Sequence, residues 1–503
     1  MTYNKEISQI TLFSNLRKKI NTEINLIGLN EIQLNQVLDI LIVFGLEHRE
    51  TQPCINYIHC QINMYMMDVF PPPDKVLNPF PFYAQMRKVH PVVYDDKNKV
   101  WGIFRYEDIQ GVLTNYRHFS SDVQKLMKMQ QAEMKQEEQN KKRERDESVR
   151  RSILTSDPPY HNKLRSVISS AFTLNTIGTL RPRIEEICHD MVDKVIEKGH
   201  MDLINDLAYP LPVTVIAELL GIPSDDRDTF KRWADELIGS TNSSNSNLPV
   251  DRASEQIFKR VQSEMDSYFI NIIEKRKMNK VPSTDLISNL LKAEIDGNKL
   301  TEEEILAFCS LLLLAGHVTT VNLIGNMVRS LLEYPKQLEQ LLLNHSSYNI
   351  NKHNSDNYPS ISSAIDETLR YRSPVQALIR FATEDVVIRE QKIQRGQRLI
   401  IWIGSANHDE SVFHDAERFD ITRSFSNNAH LGFGYGIHFC LGSALASLEA
   451  EVVLKIILDR LKDVKFAQDY KEESLRPLYG IFFHGVSNLP LSFKPAKLRV
   501  KSA

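Results

Sequence analysis

Apolar residues along most of the chain recur at spacings of three and four, which is the periodicity of amphipathic α-helices. The segment after Cys440 shows this spacing at Leu441, Leu445, Leu448, Val452 and Ile456. A longer helix is predicted from about Thr301 to Leu332, because acidic residues that suit a helix N-terminus precede a long apolar stretch. Helices therefore account for most of the predicted structure.

Short runs of β-branched and aromatic residues interrupt the helical pattern and predict a few short strands. They lie at Val92–Tyr94, Trp101–Phe104, Val386–Ile388 and Leu399–Ile403. The expected fold class is therefore mainly α with small β-sheets (α+β).

Three prolines, Pro71 to Pro73, mark a change in the character of the chain. We interpret residues 1–66 as an N-terminal extension with helical spacing, and residues 67–503 as the main domain. The extension could be a helical appendage, a docking element for a partner, or an elaboration packed on the main body. Residues 124–151 are rich in charge and predict a solvated helix or a mobile loop. The polar runs Gly239–Asn247 and Asn344–Asn357 predict flexible surface connections.

The composition argues against several classes of partner. A net charge of -3 and a pI near 6.6 do not indicate binding to nucleic acid or to an anionic membrane surface. Continuous apolar runs are too short for a membrane span, and the N-terminus does not resemble a signal peptide. The five cysteines lack CxxC spacing, which argues against a disulfide framework or a structural zinc site. We expect a cytoplasmic protein without a membrane anchor.

Cys440 has the most informative surroundings of the five cysteines. Gly434 and Gly436 precede it and permit a tight loop, while the apolar periodicity after it predicts a helix. A cysteine at the start of a helix is expected to have a lowered pKa, as a metal ligand or a nucleophile would. A nucleophile would need a base beside it, and His438 lies on the loop side. Ligation of a haem iron fits better, because the glycines let the loop pass close to a flat macrocycle.

The string Phe433-Gly-Tyr-Gly-Ile-His-Phe-Cys440-Leu-Gly-Ser-Ala-Leu-Ala446 resembles the haem-binding loop of the cytochrome P-450 superfamily. The resemblance extends over about residues 67–495 and is closest to soluble bacterial-type members. It implies the P-450 fold with the long helix over haem b, and Cys440 as the iron ligand. Phe433 and Gly434 would belong to the cofactor-binding loop.

The same resemblance assigns roles to other charged residues. Asp157-Pro-Pro-Tyr-His161 is a predicted helix start, with Asp157 as its cap. The haem propionates would be bound by His161, Arg165, Arg380 and His438. A structural ion cluster would be formed by Glu367, Arg370 and Arg423.

The segment Ala315-Gly-His-Val-Thr-Thr320 resembles the oxygen-binding bend of the long helix. This resemblance implies catalytic roles for Gly316, which gives oxygen room at the backbone, and for Thr319, whose hydroxyl guides protons. Family members usually have Asp or Glu immediately before this threonine, whereas this chain has Val318. A proton would then reach the site through water, substrate or another side chain.

The resemblance implies a monooxygenase that inserts one oxygen atom from O2 into an apolar or amphipathic small molecule, by hydroxylation or epoxidation. Electrons would come from a ferredoxin or flavodoxin and its reductase, and secondary metabolism is the expected context. The apolar segments Ala377–Ile379 and Ile481–Phe483 are candidate pocket walls. The alternative is a haem-thiolate protein that does not use O2 with a reductase, such as a peroxygenase, an isomerase or a haem-based binding protein.

Overall fold

The computed structural model describes residues 68–132, 151–242, 252–278, 285–295, 297–348, 359–425 and 429–496. The predicted extension, residues 1–66, lies outside the described residues, so the domain division stays a prediction. The middle of the charged run, residues 133–150, and residues 243–247 of the polar run also lie outside them.

Helices dominate the described residues, as predicted. Those before the long helix are α1 (Phe80–Val89), α2 (Tyr106–Thr114), α3 (Val123–Ala132), α4 (Tyr160–Ala171), α5 (Leu174–Thr179), α6 (Arg181–Asp193), α7 (Pro210–Leu219), α8 (Arg227–Asn242), α9 (Arg252–Met278) and α10 (Leu286–Lys292). The long helix and its successors are α11 (Glu302–Glu333), α12 (Pro335–Tyr348), α13 (Ile361–Tyr371), α14 (Ile403–Ala406) and α15 (Ser443–Arg460).

The strands form small sheets. Five strands pair in the order β1 (Val92–Asp95), β2 (Val100–Ile103), β10 (Arg398–Ile401), β7 (Leu378–Ala382) and β3 (Phe119–Ser120). Three pair in the order β11 (Leu461–Phe466), β12 (Pro490–Pro495) and β4 (His200–Asp202). Two hairpins are formed by β5 (Glu294–Ile295) with β6 (Asn298–Lys299), and by β8 (Val386–Ile388) with β9 (Gln391–Ile393). The four predicted strands are thus present, within two residues at each end.

Helix α11 runs through the largest apolar core. It begins with a capping box, in which the Thr301 side chain accepts from the Glu304 amide and the Glu304 carboxylate accepts from the Thr301 amide. By length and apolar content α11 could cross a membrane, but 56% of its most apolar window is buried inside the protein. It packs against helices α7, α9, α13 and α15, as a central helix of a globular core does.

Two predictions about polar segments were wrong in part. Helix α8 continues to Asn242 and α12 continues to Tyr348, so the first residues of both polar runs are helical. Serine and asparagine are only mildly unfavourable in a helix, so a helix stabilised by packing upstream can extend through them.

Candidate functional site

The loop before α15 positions Cys440 by backbone contacts. The Cys440 amide donates to the Phe433 carbonyl at 2.9 Å, and the Gly434 amide donates to the Leu431 carbonyl at 2.8 Å. Gly434 and Gly436 have φ values of 75° and 74°, in the left-handed region that favours glycine. A Cβ at Gly436 would lie 2.8 Å from the Leu113 carbonyl oxygen, so the loop is wedged against α2.

The groups around the Cys440 sulfur shift the pKa of its thiol in opposite directions. Burial raises the pKa of the thiol, while the amides of Gly442 and Ser443 and the charge of Arg165 lower it. The helix start therefore acts as the sequence suggested, but the expected net lowering of the pKa was wrong because burial outweighs it. A bound metal cation would hold such a sulfur as thiolate.

His438 is not placed as a base for a cysteine nucleophile. Its Nε2 lies 2.9 Å from the Ser121 hydroxyl, and its ring packs edge-on against His161 with centroids 4.4 Å apart. Burial, followed by the charges of Arg380 and Arg165 and the neighbouring ring of His161, lowers the pKa of His438 to about 3. A neutral ring held by Ser121 favours a binding role over catalysis by a cysteine–histidine pair.

The four predicted propionate-binding residues lie together and carry an excess of positive charge. Arg165 donates from Nη1 to the Ile437 carbonyl at 3.2 Å, and Arg380 donates from Nη1 to the carbonyl of Ile379 at 2.8 Å. Burial lowers the pKa of both guanidinium groups, that of Arg380 to about 10. The buried Nε2 of His161 has no hydrogen-bond partner among the described residues.

The one carboxylate that raises the pKa of Arg380, that of Asp157, is already engaged. It accepts from the Ser120 hydroxyl, and from the amide and hydroxyl of Ser121 at 3.2 Å. The prediction that Asp157 caps α4 with its side chain was wrong, because this carboxylate turns to the two serines and Pro159 precedes the helix. No arginine of this cluster forms an ion pair within the described part of the chain.

Buried cations without a bound counter-anion need negative charge from a ligand. The two carboxylates of haem supply it, and Cys440 supplies the sulfur for the iron. The residues present therefore fit haem: Cys440 would hold the metal, and His161, Arg165, Arg380 and His438 would meet the propionates.

The predicted ion cluster is formed by buried groups. Arg370 donates from Nε and Nη2 to the two carboxylate oxygens of Glu367, both at 2.8 Å, and both residues are fully buried. Arg423 donates from Nε to Glu367 at 3.2 Å, and the Asp420 amide donates to the same carboxylate at 2.7 Å. Arg370 also donates to three backbone carbonyls, those of Asn407, Ala416 and Arg418. The cluster thus joins α13 to the chain before the cysteine loop.

The predicted oxygen-binding bend lies within α11. The Thr319 hydroxyl donates to the Ala315 carbonyl at 2.8 Å, and the Thr320 hydroxyl donates to the Gly316 carbonyl at 2.9 Å. Ala315 is exposed and Thr319 is partly exposed, whereas Thr320 is buried. A Cβ at Gly316 would lie 2.9 Å from Cδ1 of Ile216, so glycine also serves the packing of α7 on α11. The catalytic roles of Gly316 and Thr319 stay predictions.

Val318 is buried in an apolar cluster. It packs with Ala234 of α8 and Tyr479, and Leu314, Leu478 and Phe483 border the group. The valine at position 318, where the family usually has an acid, thus packs against apolar neighbours from two other parts of the chain.

The sequence analysis did not identify Ser121, which the structure places beside the predicted propionate-binding residues. Its hydroxyl links His438 to Asp157, at 2.9 and 3.2 Å. The sequence around Ser121 contains no motif that predicts this role, because the role depends on contacts with residues far along the chain.

A cysteine loop at the start of α15, close to uncompensated arginines, in a fold with a long central helix, defines a haem-thiolate protein. The comparisons with known proteins agree with this class. The cytochrome P450 family profile matches residues 76–482, and the chain belongs to the cytochrome P450 family. It is a cytochrome P450 monooxygenase with haem b as its cofactor.

Individual relatives align over most of their length. Cytochrome P450 109 of Bacillus spizizenii is 38% identical over 82% of this chain and 92% of its own. Cyclomarin C epoxidase CymV of Salinispora arenicola is 36% identical over 76% of this chain and 88% of its own. The crystal structure of CYP109E1 from Bacillus megaterium in complex with testosterone superposes with a TM-score of 0.68 at 33% identity, covering 82% of this chain and 99% of that one.

Replacing Arg380 by methionine should weaken haem retention. The variant removes a buried cation but keeps most of the side-chain volume, so we expect roughly tenfold faster transfer of haem to apomyoglobin. Arg395→Met is the matched control, since Arg395 is exposed at the end of the turn between β9 and β10. Equal rates in the two variants would contradict the assignment of Arg380 to a propionate.

Proposed function

We propose that this enzyme inserts one oxygen atom from O2 into an apolar or amphipathic small molecule, by hydroxylation or epoxidation, with electrons from separate redox partners. Two similar proteins support this proposal: one is named an epoxidase, and the other was crystallised in complex with testosterone. The observation that carries the proposal is the position of Thr319, whose partly exposed hydroxyl shares a helix face with exposed Ala315.

Bound haem would supply the activation of oxygen and its transfer to a C–H or C=C bond. The residues of this chain would hold the reactants and move protons. Cys440 would fix the iron, and the buried cations would orient the macrocycle through its carboxylates. The Thr319 hydroxyl already donates to the Ala315 carbonyl at 2.8 Å, so its oxygen remains free to accept a proton-bearing partner on the open side.

Proton delivery would not involve the side chain at position 318. Val318 is 3% exposed and cannot exchange protons, so the donor next to Thr319 would be water, substrate or a more distant group. The apolar cluster around Val318 excludes solvent from one side of this bend.

Some of the predicted pocket-wall residues are part of the protein core, and others are exposed or border the cluster of Val318. Ala377 is buried in a core cluster that Ile481 and Phe482 border, which favours packing roles for these three. Ile379 is 43% exposed, and Phe483 borders the cluster of Val318. Of the predicted wall residues, these two are the better candidates for contact with substrate.

Electrons would come from a ferredoxin or flavodoxin with its reductase. Residues 76–482, which are most of the chain, match the family profile and form the haem domain, so electrons would come from separate proteins. We place the enzyme in the cytoplasm, where such carriers are reduced and where the free thiols Cys188 and Cys309 would stay reduced.

A peroxide-driven oxygenation is the second candidate function. The observation that favours it is Val318, because an enzyme supplied with peroxide does not need the acid that usually precedes the threonine. It differs from the first proposal in that neither O2 nor a reductase would be needed for turnover.

Thr319→Ala should lower the yield of product per reduced cofactor consumed, roughly tenfold, because loss of a positioned proton-transfer group typically costs one to several powers of ten. Thr320→Ala is the matched control: it loses the same kind of hydroxyl-to-carbonyl bond, but on the buried side of the helix. The measurement is product formed against cofactor oxidised, with a ferredoxin system. An unchanged ratio in Thr319→Ala, together with turnover on hydrogen peroxide alone, would replace the first proposal by the second.

Val318→Glu tests whether the missing acid limits the enzyme. We expect no gain in product per cofactor and a loss of stability of several kcal/mol, because the carboxyl would enter an apolar cluster without a partner. Val318→Leu controls for the change in volume. A higher product ratio in the glutamate variant would show that the acid is the missing component.

A further inference from the structure

Ser121 lies where three segments of the haem site meet. It directly follows strand β3, which pairs with β7, the strand that carries Arg380. Its hydroxyl and its amide both contact Asp157, just before helix α4, which carries two more of the predicted propionate-binding residues. Its hydroxyl also contacts His438 in the cysteine loop. The four predicted propionate-binding residues therefore lie on the segments that Ser121 connects.

The Ser121 hydroxyl has several partners within hydrogen-bond distance. It lies 2.9 Å from Nε2 of His438 and 3.2 Å from Oδ1 of Asp157, with the Ser156 carbonyl at 3.4 Å. Ser121 is only 8% exposed, so water competes little for these contacts. Because a hydroxyl can donate one hydrogen bond and accept others, it can hold the carboxylate and the ring at the same time.

The neighbouring serine, Ser120, contacts the same carboxylate but not the ring. Its hydroxyl donates to Oδ2 of Asp157 and accepts from the Asp122 amide at 3.0 Å. Among the described residues, Ser120 forms no hydrogen bond with His438. The two serines thus share the carboxylate, and Ser121 is the one that connects it to the histidine.

The ring of His438 has few other contacts that set its direction. It packs edge-on against His161 with centroids 4.4 Å apart, and it has a hydrogen bond with the backbone of Ile153. Within the described part of the chain, Ser121 provides its one hydrogen bond to a side chain. Two rotatable bonds determine where a histidine ring points, so loss of this bond would leave the ring less ordered.

We propose that Ser121 is a positioning residue of the haem site, which holds the ring of His438 in the orientation that receives a propionate. Asp157 in turn holds Ser121 by its hydroxyl and its amide. A ring that is already ordered loses less conformational freedom when haem binds, so haem should be retained longer. The inference rests on the predicted contact between His438 and a propionate, and it does not require the proposed oxygen insertion.

A double-mutant cycle of Ser121→Ala and His438→Phe tests whether Ser121 acts through the histidine. Phenylalanine keeps a ring at position 438 but offers no nitrogen to the serine. The measurement is the rate of haem transfer from the loaded protein to apomyoglobin. We expect Ser121→Ala to transfer haem roughly fivefold faster than the wild type, and to add less than about twofold when position 438 is phenylalanine.

The midpoint potential of the bound haem is the second readout. Ser121→Ala should shift it in the same direction as His438→Phe, because both variants change the surroundings of the same propionate. Ser121→Thr keeps the hydroxyl and should restore both the potential and the rate of haem transfer. Failure of threonine to restore either would contradict a role for the hydroxyl.

Ser120→Ala is the matched control, since it also removes a hydroxyl that donates to Asp157. Its effect on haem transfer should be the same with histidine or phenylalanine at position 438. An equal acceleration by Ser121→Ala in both backgrounds, or no acceleration in either, would overturn the positioning role.

The reduced carbon monoxide spectrum separates this inference from the haem assignment. A thiolate-type band together with independent effects of Ser121→Ala and His438→Phe contradicts the positioning role alone. A wild-type protein without that band contradicts the haem-thiolate site itself.

Discussion

Cys440→Ala should abolish the long-wavelength absorption band of the reduced protein with carbon monoxide, and with it the oxygenation of any substrate. We expect this result because Cys440 alone among the described cysteines lies in a glycine loop at a helix start, next to the amides of Gly442 and Ser443. Among the described cysteines, no other sulfur lies in this loop, so the variant has no comparable ligand for the iron. The measurement is the difference spectrum of the dithionite-reduced protein.

Cys188→Ala and Cys309→Ala are the controls for this result. Both thiols are buried, and burial raises the pKa of Cys188 to about 12 and that of Cys309 further. Both thiols lie within helices, Cys188 in α6 and Cys309 in α11, and not in the loop before α15, so both variants should keep the band. A thiolate-type band that persists in Cys440→Ala would refute the assignment.

Glu367→Gln should greatly reduce the yield of folded, haem-loaded protein. The change leaves the buried guanidinium of Arg370 without its anionic partner, and breaking a buried ion pair costs about 3–5 kcal/mol. Since a typical domain is stable by only about 5–15 kcal/mol, much of the stability would be lost. Urea unfolding and the ratio of haem to protein measure the effect.

Asp366→Asn is the matched control for the ion cluster. Asp366 adjoins Glu367 on the same helix, but its side chain is about half-exposed, and among the described residues its one ion contact is with His430 at 3.7 Å. We expect its unfolding free energy to change by less than about 0.5 kcal/mol. Equal destabilisation in both variants would show that the helix, and not the buried cluster, is sensitive to charge.

Periodicity predicted the elements with strong repeating patterns. Helix α11 was predicted from Thr301 to Leu332 and runs over Glu302–Glu333, with Thr301 as its cap. Strand β8 was predicted at its observed bounds, Val386–Ile388. These elements carry their own signal, either a cap followed by a long apolar run or adjacent β-branched residues.

The elements that the sequence did not predict depend on distant partners. Strand β3 has two residues, Phe119 and Ser120, and exists because it pairs with β7 more than 250 positions along the chain. Asp157 has the local context of a helix cap, but contacts with Ser120 and Ser121 take its carboxylate instead. Local sequence cannot reveal such competition, because the winning contacts come from other parts of the fold.

The candidate site shows the same division. The loop from Phe433 to Ala446 identified the cysteine without structural information, because glycines and a helix start are local features. Ser121 has no motif around it, and only its contacts with His438 and Asp157 give it significance.

The close contact between Gly436 and α2 restricts which residues this enzyme can carry at position 436. A side chain at position 436 would collide with the backbone oxygen of Leu113, and not with the Leu113 side chain. No second substitution at position 113 can therefore create the missing space, and the left-handed φ of 74° adds its own restriction. A second substitution is therefore not expected to rescue a replacement of Gly436. Glycine should stay fixed at position 436 even when the residues around it change during evolution.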